Sequence, residues 1–191
     1  MRLFSPLPSL LLSALLLAGC PVEEEIDLTF RNVGGDTLFL EAGASSGVRL
    51  ALEVQVGDAW VPISESLSTL CTARCGVQGL VQCAEAESEQ MVVYALQSLN
   101  LVTRHVEGEW WMVDPERGCA KPAPMRSQLQ AIVCHDDEAV DSTTGLPLPV
   151  PNSSGLLGAM GGAHLVDPLC EALPFDLRQA SASRLDVRGE R

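Results

Sequence analysis

The stretch VRLALEVQV, residues 48–56, sets Val48, Leu50, Leu52, Val54 and Val56 at every second position, with Arg49, Glu53 and Gln55 among the residues between them. A helix would bring positions three and four apart together. A strand turns alternate residues to opposite faces, so this run reads as a half-buried β-strand. Gly57-Asp58 then makes a tight turn into AWVPI (59–63), a hairpin partner. Pro62 has no amide to donate and predicts an edge position for that strand. Trp60 reads as a core or cross-strand aromatic.

The same period recurs outward from this hairpin. IDLTFRN (26–32) alternates Ile26, Leu28 and Phe30 with polar neighbours, Val33–Asp36 is a turn, and TLFLE (37–41) follows as a second strand. Further strand patterns are QMVVYAL (90–96), SLNLVTRHV (98–106), EWWMV (109–113) after a Glu107-Gly108 turn, and SQLQAIVC (127–134), where Leu129, Ala131 and Val133 share a side. Residues 64–89 lack sustained periodicity and hold three cysteines, which predicts a disulfide-bound loop with at most one helical turn. Residues 135–163 are polar, then rich in Pro and Gly, and read as one long loop. Strands near 164–168, 174–178 and 184–188 complete the pattern. Short strands, turns between them and no amphipathic helix predict an all-β fold, an antiparallel β-sandwich formed by a single domain over 26–191.

The order of features, an N-terminal hairpin, the hairpin carrying Trp60, the EGEWW turn and a late strand ending in Cys134, resembles an immunoglobulin-like domain. In outline it is also similar to the small β-sandwich of the intracellular proteinase-inhibitor family. The cysteines and an export signal depart from that family, so inhibition is not carried over from it.

That export signal is the N-terminus. Arg2 precedes a leucine-rich block, Leu10 to Ala18, with the layout of a secretory signal peptide over 1–19. Nine helical residues span only about 14 Å, against about 30 Å of hydrocarbon, and Pro6 and Pro8 interrupt any extension, so a permanent membrane span is not expected. Leu17-Ala18-Gly19-Cys20 resembles the lipobox of bacterial lipoproteins. The resemblance implies cleavage before Cys20, acylation of its thiol, and a lipidated acidic tether over 20–25. It places the protein at the bacterial cell envelope, the outer membrane favoured.

Setting Cys20 aside leaves Cys71, Cys75, Cys83, Cys119, Cys134 and Cys170. Six cysteines in an exported chain predict three disulfides, with fifteen connectivities left open. Cys71, Cys75 and Cys83 as zinc thiolates are the weaker alternative, because no paired histidines or second C-x-x-C follow.

The net charge is −13 and becomes −14 once Arg2 leaves with the signal. Such a chain repels phosphate backbones, which excludes nucleic acid as an expected partner. The single lysine, Lys121, carries no functional expectation. His135-Asp136-Asp137-Glu138 with Asp141 reads as a solvated acidic loop, with calcium as the sharper alternative; the EF-hand spacing is absent. There is no G-x-S-x-G elbow and no phosphate loop, since GLLGAMGG lacks the lysine. His105, on a strand face with Leu99, Leu101 and Thr103, reads as a structural histidine; His164 follows a glycine-rich segment with no nucleophile paired to it by sequence. Trp110 and Trp111 are adjacent on a strand, so one is expected in the core and the other outside, available to stack on a sugar or a protein partner. Asn152-Ser153-Ser154 fits a glycosylation sequon by chance composition.

The expected function is therefore a lipid-anchored, non-enzymatic binding or structural module, with a membrane, an unidentified protein or a glycan as partner and no cofactor, metal or catalytic residue. The alternatives are a protease inhibitor presenting the 71–83 or 146–152 loop, and a carboxylate- or metal-dependent hydrolase near His164 and the 135–141 segment.

Overall fold

The alternating apolar residues of 26–30 and 48–54 meet in one interior, facing each other from two sheets. The computed structural model describes residues 23–79, 81, 83, 89–158, 161–177 and 183–188. The signal segment and Cys20 lie outside them. The strands are β1 (Glu23–Asn32), β2 (Leu38–Gly43), β3 (Gly47–Val48), β4 (Ala51–Val56), β5 (Ala59–Ser64), β6 (Met91–Leu96), β7 (Leu101–Glu109) and β8 (Trp111–Val113). They continue as β9 (Ala120–Pro122), β10 (Leu129–Asp136), β11 (Ala139–Asp141), β12 (Gly155–Leu157), β13 (Ala163–Leu165), β14 (Leu169–Phe175) and β15 (Ser183–Val187). One helical turn, α1 (Leu67–Leu70), interrupts the cysteine-rich loop.

A three-stranded sheet, β15-β1-β7, packs on a larger one that runs β12-β6-β2-β10-β4-β5-β8-β9, with β14 also on β10 and β3 on β2. This is the antiparallel sandwich that the alternation predicts, with one exception. β1 and β15 run parallel, Leu28 beside Ser183 through Asn32 beside Val187, joining the two ends of the domain. Strand β10 organises the large sheet. One edge pairs with β14 from Leu129 to His135; the other is shared, Leu129–Ile132 with β4 and His135–Asp136 with β2. The sheet thus forks at Val133-Cys134. Between the layers lie Ile26, Leu28 and Phe30 from β1, Leu52 and Val54 from β4, and Leu129, Ala131 and Val133 from β10. The face of the 48–56 run is therefore as its period dictates, but the run is two strands, β3 on β2 and β4 between β10 and β5, broken at Arg49-Leu50. Pro62 lies where β5 has only β4 beside it, since pairing with β8 starts at Ile63.

Residues 135–163 are not one loop. His135 and Asp136 end β10, β12 adds to the edge at β6, and β11 and β13 form their own ribbon over the outer face of the large sheet. A second core explains this order. Phe39, Val93 and Ala95 point away from the main interior and are buried against Ala139, Ala163 and Leu165, with Leu148 and Leu157 alongside. Burying a Val or Phe side chain is worth roughly 1.5–3 kcal/mol, enough to hold a Pro- and Gly-rich segment whose own propensity for strand is low. Strand β2 is consequently buried on both faces.

Further expectations change. The predicted strands near 164–168 and 174–178 are instead β13 and β14, shifted toward the N-terminus, while β15 starts one residue earlier than expected. Glu107-Gly108 is no turn but part of β7, continuous to Glu109. Gly108 serves another purpose: a Cβ there would lie 2.6 Å from the Glu65 carbonyl oxygen, so only glycine allows the β5–α1 connection to pass that closely. The acidic tether is shorter than expected, because Glu23–Glu25 already pair with Glu107–Glu109 as the start of β1.

The three disulfides are Cys71–Cys83, Cys75–Cys119 and Cys134–Cys170. These thiols are thus engaged with each other, not arranged as zinc ligands. Cys134 and Cys170 sit directly opposite each other on β10 and β14.

Candidate functional site

The fork in the large sheet opens a groove of about 470 Å³. Its walls come from both layers: Val48, Leu50 and Leu52 where β3 gives way to β4, Ile63 from β5, Val106 and Trp110 from the opposing side, and Ile132 and Cys134 from β10. Arg49 and Arg104 reach it together with Glu41 and Glu65. Arg104 occupies an inward-facing position of β7, in register with Leu28, and its side chain forms no hydrogen bond or ion pair among the described residues. Arg49 donates through Nη1 to the Met91 sulfur at 2.8 Å. An apolar trough carrying a few charged groups is suited to holding a ligand. Its lining contains no histidine, its one cysteine is already a disulfide, and its hydroxyls are those of Ser46 and Ser64.

A loop latch adjoins the groove through Ser46, which lines it. The Glu89 carboxylate accepts from the amides of Ser45 and Ser46, both at 2.9 Å, and from their hydroxyls at 2.6 and 2.8 Å. These donors, the Ser45 hydroxyl first, hold the Glu89 carboxyl at a pKa of about 2. Gly43 leaves the space in which that carboxylate lies.

Neither tryptophan is outside. Trp110 and Trp111 are each only 3% exposed, correcting the expected binding surface. Residue 110 is the link by which the chain crosses from β7 in one sheet to β8 in the other, so the two-faced rule for a single strand does not apply to it. Trp110 enters the main core and donates Nε1 to the Glu24 carbonyl at 3.1 Å. Trp111 points to the outer side, where the cysteine-rich loop covers it. Ala73 and Cys75 exchange backbone hydrogen bonds with Ala120, both at 2.8 Å, and the Arg74 guanidinium sits 5.1 Å from the Trp111 ring centroid. The Cys75–Cys119 disulfide fastens that cover.

His135 is no part of a solvated loop: it is buried between β2 and β14, with Nε2 3.4 Å from the Glu171 carboxylate. The acids after it serve the backbone. Asp136 accepts from the amides of Glu138 and Asp167, and Asp141 from those of Thr143 and Thr144, both at 2.8 Å. The Thr144 and Thr143 amides hold the Asp141 carboxyl below the usual carboxylate range. These oxygens act as turn acceptors, and among the described residues no three donor groups of this segment lie within reach of one ion. Lys121 gains a structural partner, donating to Asp114 at 2.8 Å; that bond, with the Glu116 and Arg117 amides, keeps the Asp114 carboxyl low.

One pairing was invisible in the sequence. The β11–β13 ribbon brings Ser142 Oγ to 3.0 Å from His164 Nδ1, two exposed side chains 22 residues apart. His164 has no ion pair with a carboxylate among the described residues, so the third member of a nucleophilic triad is lacking. His105 is also exposed, on the outer face of β7, and Leu99 and Leu101 beside it face solvent, not the core. No protein family, curated protein or solved structure matches this chain.

Proposed function

We propose that this chain is a lipid-anchored, non-enzymatic binding module of the bacterial cell envelope, held at a membrane through Cys20 and stiffened by disulfides. The observation that carries the reading is the cysteine pairing. Six of the seven cysteines are joined to one another, so Cys20 has no cysteine of its own chain left to pair with. It is also the residue that the lipobox-like Leu17–Cys20 stretch marks for acylation. At about 0.8 kcal/mol per buried CH₂, several acyl chains hold a protein firmly on a bilayer. Three residue steps separate Cys20 from the start of β1, a reach of at most about 11 Å, so the sandwich rides close to the headgroups. The interlayer groove supports the binding role, because it combines an apolar trough with charged groups.

The test is Cys20→Ser expressed in a bacterial host. Loss of palmitate labelling and release from the membrane fraction support the anchor, whereas unchanged membrane retention rejects it.

A second reading, protease inhibition, has one observation in its favour. The loop closed by Cys71–Cys83 exposes Val77, an apolar side chain on a braced segment. Incubation with serine and cysteine proteases decides it: cleavage of the loop without any inhibition removes this reading.

A further inference from the structure

The outer face of the three-stranded sheet carries a set of side chains that the groove does not use. β1 and β7 pair Glu25 opposite Glu107 and Asp27 opposite His105. Asp27 Oδ1 lies 2.7 Å from His105 Nδ1, which turns the other ring nitrogen toward the glutamates. His105 Nε2 is 3.5 Å from Glu25 Oε1 and 3.9 Å from Glu107 Oε2, and one ligand atom from each of the three residues lies within 4.8 Å of the others.

We propose that Glu25, His105 and Glu107 form a binding site for a divalent ion of the zinc class, with Asp27 as the positioning residue for the imidazole. Ligands 2.0–2.2 Å from a tetrahedral zinc stand roughly 3.4 Å apart, close to the two separations from Nε2. One imidazole with two carboxylates suits zinc or a neighbouring transition ion better than magnesium or calcium, which take all-oxygen sets. A carboxylate on the far nitrogen of a metal-binding histidine fixes its tautomer and raises its basicity, and Asp27 stands in that place.

The charge pattern points the same way. Like charges directly opposite each other destabilise a strand pair, yet Glu25 faces Glu107. A proton on His105 offsets one of these charges; a divalent cation offsets two. All three donor residues are exposed, so a fourth position stays open to water or to a donor from a partner.

Zinc titration of the purified full chain by calorimetry, after chelator treatment, tests this directly. The expected result is one ion per chain, lost in His105→Ala and weakened at least tenfold in Glu25→Gln and in Glu107→Gln, with circular dichroism unchanged. Asp27→Ala, which leaves all three donors in place, is expected to weaken binding by 10–100-fold. His164→Ala, on the other side of the molecule's fold, should bind as the parent does. Absence of stoichiometric zinc binding, or undiminished binding by His105→Ala, overturns the proposal.

Discussion

Asn32 reaches across the end of the sandwich to Leu96: its Nδ2 donates to the Leu96 carbonyl at 2.9 Å and to that of Asp36 at 2.7 Å. Its Oδ1 accepts from the Gly34 amide at 2.8 Å, and the residue is fully buried. One side chain thus ties the β1–β2 turn to the end of β6. Asn32→Ala takes the side-chain donor from the buried Leu96 carbonyl and loosens the turn at Asp36, and is expected to cost about 1–3 kcal/mol in urea unfolding. A change below about 0.5 kcal/mol would mean that water replaces the amide at no loss.

Gly108→Ala brings a methyl group against the Glu65 backbone, which cannot rotate away as a side chain does. The expected loss is about 1–3 kcal/mol. Gly35→Ala, where nothing lies within 4 Å, serves as the comparison and should stay within about 0.5 kcal/mol of the parent in thermal melts.

The disulfides Cys75–Cys119 and Cys134–Cys170 close spans of 44 and 36 residues, for which chain entropy gives about 4 kcal/mol each. Removing either pair as a double serine variant should therefore lower stability by a similar amount. Tryptophan emission should tell them apart. Only the loss of Cys75–Cys119 uncovers Trp111, and only that variant is expected to shift emission to the red. Identical spectra would contradict the cover assigned to the 71–79 loop.

Glu89 and His105 contribute to the pH dependence with opposite sign, alongside the lowered Asp114, Asp136 and Asp141. Glu89 is depressed in the fold, chiefly by the Ser45 hydroxyl and amide, so its contribution is complete above the ordinary value of 4.5 and fades as pH falls toward about 2. Glu89→Gln should flatten that acid limb. His105 is raised, first by its bond to Asp27, so its contribution is complete below 6.5 and fades as pH rises through the higher folded value. Proton NMR of the His105 ring should place its titration above 6.5 in the parent and lower in Asp27→Asn.

Where the alternation was strong, sequence and structure agree. Leu52, Val54, Leu129, Ala131 and Val133 are inward because a period of two leaves no other choice once one face is buried. The even set of six cysteines foretold three disulfides, though not which ones. The 135–163 segment shows no period because its strands are three residues long, and the partner that orders them, Phe39, lies about a hundred residues earlier. The two tryptophans depart from the alternation for a different reason: residue 110 is where the chain changes sheets, so the rule for one strand in one sheet does not hold there. The Glu25–His105–Glu107 set depends on the β1–β7 register, which brings residues about eighty apart into contact and leaves no local spacing to read.

The anchoring claim is tested most directly by the intact mass of the protein extracted from bacterial membranes. The account predicts a chain that begins at Cys20, carries a diacylglyceryl group on that residue, and holds its other six cysteines as three disulfides. A chain that retains residues 1–19, or one whose Cys20 is an unmodified thiol, contradicts it.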